Sequence, residues 1–213
     1  MEATFWHKKW ETNEIGFHEK EYNPGLTRHF GGLNLPSGSR VFVPLCGKTR
    51  DIHWLLKEGF KVVGAELSEL AVKQLFEELQ TQPAVEDTAS GKIYTAPGIQ
   101  VFTGDIFQLT GNSIGRIDGI YDRAALVALP DSMRKKYTEH LRAITDTAPQ
   151  LVITFTYDQA HMDGPPFSVP AAEIETFYAP FYQLNQVQDS EVKGGLKGKC
   201  EARINVWQLI EKA

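Results

Sequence analysis

Residues 40–69, RVFVPLCGKTRDIHWLLKEGFKVVGAELSE, constrain the fold more than any other stretch of the chain. They read as a strand, a tight turn, a helix stopped by Gly59, and a second strand ending in Glu66. A βαβ unit of this kind places its ligand where the first strand meets a helix N-terminus. A carboxylate ending the second strand can then take both hydroxyls of a ribose. Gly47 precedes Glu66 by 19 residues, near the spacing of about 20 expected between a glycine turn and a ribose-binding acid. The further glycines of a dinucleotide fingerprint are missing, so no pyrophosphate cradle is evident. A nicotinamide oxidoreductase is disfavoured for the same reason. A ligand with ribose and adenine but no phosphates fits better, and S-adenosylmethionine is the common one. The run CGKT ends like a phosphate-binding loop, but that motif needs a glycine where Phe42 stands inside the strand.

Further strands are expected at IQVFTGDIF, RIDGIYDRAALVAL and PQLVITFTYD, with helices between them. Ser68 is positioned to cap SELAVKQLFEEL, whose Leu70, Leu75 and Leu79 are expected on one helix face. Residues 81–98 are polar, with two prolines and two glycines, and read as an excursion between core elements. The last two strand-like runs, between Phe181 and Glu211, are joined through Lys193, Gly194 and Gly195 and imply an antiparallel pair at one edge. The alternation of strands and helices predicts a mainly parallel sheet covered on both faces, an α/β fold of seven strands in a single domain over 1–213.

Composition narrows the function. A formal charge of −5 argues against a nucleic-acid partner, and no apolar run is long enough to span a membrane. Two cysteines, Cys46 and Cys200, make no disulfide framework and point to a reducing cytoplasm. Cys46 reads as a small buried hydrophobe. The six histidines lack metal-ligand spacing and are expected at surface or structural positions, so no metal is expected.

Several residues are candidates for the site. Glu66 stands where an open α/β sheet binds its ligand. Asp105 ends the third strand, either as an N-cap or as a ligand contact. Asp122 and Arg123 end the fourth strand, either as a structural ion pair or with Arg123 meeting an anion. Phe5, Trp6, Trp10 and Phe17 either staple an N-terminal helix to the sheet or close over a ligand, and residues 1–30 are assigned to a lid segment.

These stretches resemble the thiopurine S-methyltransferase family, above all its bacterial members. The matching segments are FWHKKW at 5–10, FH at 17–18, VFVPLCGKTRD at 41–51, VVGAELSE at 62–69, GDIF at 104–107, YDRAALVAL at 121–129 and DGPPFSVPAAEIE at 163–175. The resemblance implies a Rossmann-like, S-adenosylmethionine-dependent methyltransferase with a C-terminal antiparallel hairpin. It implies cofactor contacts from Trp10, Leu45, Glu66, Ile106 and Arg123, with Asp105 on the adenine side. Acceptor contacts are implied for Phe17, Arg123, Pro165 and Pro166, with Arg123 as the catalytic residue. An arginine near the C-terminal hairpin of animal members is replaced here by EVKGGLKGK, where Lys193 or Lys197 supplies charge without a planar fork. The implied reaction is methyl transfer to the sulfur of a small aromatic or heterocyclic thiol. The alternative acceptor is an inorganic selenium or tellurium species, and a non-catalytic nucleoside-binding module is the rival of a different class. The expected protein is a cytoplasmic monomer with a small-molecule partner.

Overall fold

The computed structural model describes residues 3–16 and 18–212. A parallel core is built from β1 (Arg40–Val43), β2 (Lys61–Glu66), β5 (Ile99–Thr103), β6 (Gly119–Arg123) and β7 (Gln150–Thr156). Here β1 pairs in parallel with both β2 and β6, β2 with β5, and β6 with β7. The C-terminal strands β8 (Tyr182–Glu191) and β9 (Arg203–Glu211) form the expected antiparallel hairpin, with β9 against β7 and β8 outermost. All seven expected strands are therefore present.

The sheet has nine strands, because residues 81–98 are not an excursion. They form an antiparallel hairpin, β3 (Ala84–Thr88) and β4 (Gly91–Ala96), which extends the sheet beyond β5. The final order is β3-β4-β5-β2-β1-β6-β7-β9-β8. Every residue of β3 is exposed, so it carries no hydrophobic alternation for a sequence reading to detect. It is held to β4 by backbone pairing and by the Thr88 hydroxyl, which donates to the Gly91 carbonyl at 3.0 Å, and on β4 the buried Tyr94 stacks on Phe76.

Alternation along the parallel strands separates two cores. Phe42, Val63, Phe102, Ile120 and Val152 face one side, packed with α5 (Gly111–Ile114), α6 (Asp131–Ile144) and α7 (Ala171–Tyr178). Val41, Val43, Val62, Val101 and Tyr121 face the other, packed with α2 (Pro24–His29), α3 (Asp51–Lys57) and α4 (Glu69–Glu78). Burial on both faces is why these strands read as apolar runs. Ser68 caps α4 by accepting from the Ala71 N–H at 3.3 Å. Its buried face, however, is Ala71, Val72, Leu75 and Phe76. Leu70 is exposed, because it stands five positions before Leu75 and is so turned well away from that face.

The N-terminal α1 (Ala3–Glu11) lies against α4. The irregular chain that follows is pinned at Asn23. Its N–H donates to Asp51 Oδ1 at 2.8 Å, while Tyr121 Oη donates to Asp51 Oδ2 at 2.8 Å. Among the described residues no helix is long and apolar enough to cross a membrane.

Candidate active site

The strand order reverses at β1, whose neighbours β2 and β6 lead away in opposite directions, and a ligand crevice is expected outside the carboxyl ends of these strands. A cavity of about 650 Å³ opens there, within the size range of small-molecule sites. Among the wall residues with positive φ, three lie directly after β1 and β6. Leu45 has φ 45° and Gly47 φ 51° in the turn after β1, and Ala124 has φ 63° directly after β6. For Leu45 and Ala124 this conformation is strained, and both strained residues sit where the sheet meets the cavity.

Glu66 ends β2 and is buried. Its Oε2 accepts from the Gly47 N–H at 2.7 Å and its Oε1 from the Ser68 N–H at 2.7 Å. One carboxylate therefore ties the turn after β1 to the cap of α4. Burial pushes its pKa up, opposed by the bonds from Ser68 and Gly47. Each oxygen has about two acceptor positions and uses one internally, so the carboxylate retains capacity for two further donors from the cavity. Cys46, beside it in the turn, is buried, and burial together with Glu66 holds its thiol well above the ordinary range.

Trp10 is buried, and its indole lies over the turn. A Cβ built on Gly47 would stand 3.0 Å from Trp10 Cζ2. The positive φ and this close approach both favour glycine at position 47. Trp6, one helical turn earlier, shares the cavity wall with Trp10. Ile106 is buried in a short 3₁₀ turn after β5 and also faces the cavity. Asp105 caps the turn, its Oδ1 accepting from the Phe107 N–H at 3.0 Å, and it lines the cavity. Phe17 lies outside the described residues.

Asp122 and Arg123 do not pair with each other. Asp122 points into the core, accepting from the Leu126 N–H at 3.0 Å and from Tyr137 Oη at 2.7 Å. Its burial pushes its pKa up to about 6. Arg123 faces the cavity, and its Nη2 lies 2.6 Å from Glu19 Oε1. Alternation along β6 sends the two neighbours to opposite sides, which prevents the expected ion pair. Pro165 and Pro166 form part of the wall, with Gly164–Pro165 and Pro165–Pro166 both cis. Of the two hairpin lysines, Lys197 lines the cavity and donates from Nζ to the Pro165 carbonyl at 2.8 Å. Lys193 does not reach the wall. Burial lowers the Lys197 pKa, as do Lys199 and Lys9. His18 also lines the cavity, and burial and Lys48 lower its pKa.

The thiopurine S-methyltransferase family model matches residues 1–209 of this chain. The chain belongs to the thiopurine S-methyltransferase family. It is 53% identical over 214 residues to the thiopurine S-methyltransferase of Xanthobacter autotrophicus, covering 100% of both chains. It is 50% identical over 209 residues to that of Teredinibacter turnerae, covering 98% of this chain and 97% of the other. Among solved structures, an S-adenosylmethionine-dependent methyltransferase from Anabaena variabilis superposes with a TM-score of 0.66 at 14% identity, over 99% of this chain and 95% of that one. A Burkholderia thailandensis 1,6-didemethyltoxoflavin-N1-methyltransferase with bound S-adenosylhomocysteine also gives 0.66 at 14% identity, over 98% and 87%. The fold is that of S-adenosylmethionine-dependent methyltransferases, and membership of the family makes this chain one of those enzymes.

The cavity suits the family's methyl donor: a buried carboxylate with acceptor capacity to spare and an indole over a glycine turn provide for a ribose and an apolar ring system. Of the described residues proposed for the site from sequence, Phe5, Trp6, Trp10, Leu45, Glu66, Asp105, Ile106, Arg123, Pro165, Pro166 and Lys197 line this one cavity, whereas Asp122 and Lys193 do not. Sequence reasoning missed Glu19, His18 and Lys48 as wall residues. FH at 17–18 was the signal near His18 and Glu19, and Lys48 stands in the CGKT run. Nothing local tied Glu19 to Arg123, because that contact joins the N-terminal segment to the end of β6.

Proposed function

We propose that this enzyme methylates the sulfur of a small aromatic or heterocyclic thiolate, with Arg123 holding the acceptor. The observation that carries this reading is an almost wholly buried guanidinium, with 11% of its side chain exposed, on the same cavity as the buried carboxylate of Glu66. A cation so placed calls for an anion beside it, and its counter-ion in the free enzyme, Glu19, is half exposed at the cavity and replaceable by an anionic acceptor.

S-adenosylmethionine supplies an electrophilic methyl group. Glu66 accepts from the two ribose hydroxyls, Trp10 and Leu45 pack against the donor, and Ile106 and Asp105 border its adenine. Arg123, Pro165 and Pro166 surround the acceptor. The thiolate, not the thiol, is the nucleophile, and an acceptor bound as the thiolate beside Arg123 needs no side chain to remove a proton. The protein contributes alignment and the exclusion of water. Residues 1–30 act as the lid of a single domain, because α1 brings Trp6 and Trp10 onto the cavity without belonging to the sheet. Cys46 and Cys200 are unpaired, in keeping with a reducing cytoplasm.

The test is Arg123→Lys, which keeps the charge and loses the planar fork. Acceptor kcat/KM should fall about ten- to 150-fold, from about 1.5–3 kcal/mol of lost interaction with a charged group, while the donor KM changes little. Selenite and tellurite assayed beside thiols test the acceptor class. Unaltered kinetics in a destabilised protein would remove Arg123 from the site.

A further inference from the structure

Arg123 meets the cavity already neutralised. Glu19 Oε1 stands 2.6 Å from its Nη2, and both side chains line the cavity. Among the described residues Glu19 is the only ion-pair partner of this guanidinium. The other carboxylate acting on it, Asp51, is committed elsewhere, accepting from the Asn23 N–H and from Tyr121 Oη.

The two partners are unequal. Arg123 is fixed at the end of β6 and almost buried, whereas the Glu19 side chain is 52% exposed. Glu19 belongs to the irregular stretch between α1 and α2, downstream of which the chain is pinned at Asn23. Its carboxylate can therefore turn out to solvent without disturbing a strand or helix, while Arg123 must stay.

We propose that Glu19 is a specificity-determining residue whose carboxylate holds the place of the acceptor's negative charge on Arg123 and is displaced when the acceptor binds. This rests on the reading of Arg123 as the acceptor-holding group. An anionic acceptor exchanges one counter-ion for another. A neutral alcohol or amine that pushed Glu19 aside would strand a buried cation, which is strongly unfavourable. The pair thus filters acceptors by charge. It also weakens acceptor binding by the fraction of enzyme in which Glu19 occupies Arg123.

Steady-state kinetics with 6-mercaptopurine and S-adenosylmethionine, on Glu19→Gln and Glu19→Ala beside the unaltered enzyme, test the proposal. The acceptor KM should fall about three- to tenfold in both variants, a size set by the worth of a partly exposed ion pair, with kcat undiminished and the donor KM within about twofold. An acceptor KM that stays the same or rises, or a fall in kcat, would overturn the proposal and make Glu19 a support for the guanidinium. Arg123→Lys in the same assay separates the two levels. If it leaves acceptor kinetics intact, the reading of Arg123 fails, and the role of Glu19 with it. If it damages them while the Glu19 variants bind the acceptor no more tightly, the role of Glu19 alone fails.

Discussion

Replacing Glu66 with Gln changes one atom and should damage both the scaffold and the donor site. Each carboxylate oxygen accepts a buried backbone N–H at 2.7 Å, from Gly47 and from Ser68. An amide has one oxygen, so one of the two N–H groups would face an NH₂ donor instead. A buried donor left unsatisfied costs about 1–3 kcal/mol. At about 2–4 °C per kcal/mol for a domain of this size, the melting temperature should drop by about 2–12 °C. Donor binding suffers separately, because a neutral amide loses the charge-assisted bonds to the ribose hydroxyls. A loss of about 1.5–3 kcal/mol corresponds to about ten- to 150-fold in Kd. Titration calorimetry with S-adenosylhomocysteine, paired with thermal unfolding of the same preparation, reads both. Burial raises the Glu66 pKa, so in the unaltered enzyme affinity should decline on acidification earlier than for an ordinary glutamate, and in the variant that decline should vanish. Reduced stability with unchanged affinity would refute the ribose role and leave Glu66 as a brace between the turn and α4. Unchanged stability would refute the hydrogen-bond argument itself.

Deleting residues 1–20 should leave a folded sheet that has lost most turnover. Neither of the two sheet-packing cores draws on a residue before Leu26, whereas Trp6 and Trp10 line the cavity. Circular dichroism and a turnover assay check this, and full activity in the truncated enzyme would assign those residues to packing alone. Asp122 should make the protein less stable as pH rises. Its native pKa of about 6 lies above the ordinary 3.8, so between these values the native state binds more protons than the unfolded chain. Stability contributed by the protonated form is complete at the acid end and is lost through that window, by about 3 kcal/mol at neutral pH. Urea unfolding from pH 4 to 7 should therefore slope differently in Asp122→Asn, and parallel slopes would disprove the assignment.

The βαβ unit at residues 40–69 was legible in the sequence because its signals are local. An apolar run makes a strand buried on both faces, Gly59 ends a helix, and an acid stands at a fixed distance from a glycine turn. The C-terminal hairpin was legible for the same reason. The hairpin β3–β4 was not, because β3 buries nothing and its pairing is chiefly a backbone matter. Leu70 was misplaced because leucines at mixed spacing suggest a face that only the contact with the sheet can settle. At the site, chemistry and position at the strand ends marked Glu66 and Arg123. What each one bonds was decided by tertiary structure. Glu66 is held by two amides from different loops, and Asp122 turns inward to Tyr137. Arg123 meets a carboxylate from the N-terminal segment. Periodicity and turn chemistry act over a few residues and write themselves into sequence. A counter-ion brought in from a distant segment leaves no local trace, because its partner exists only once the chain has closed over the sheet.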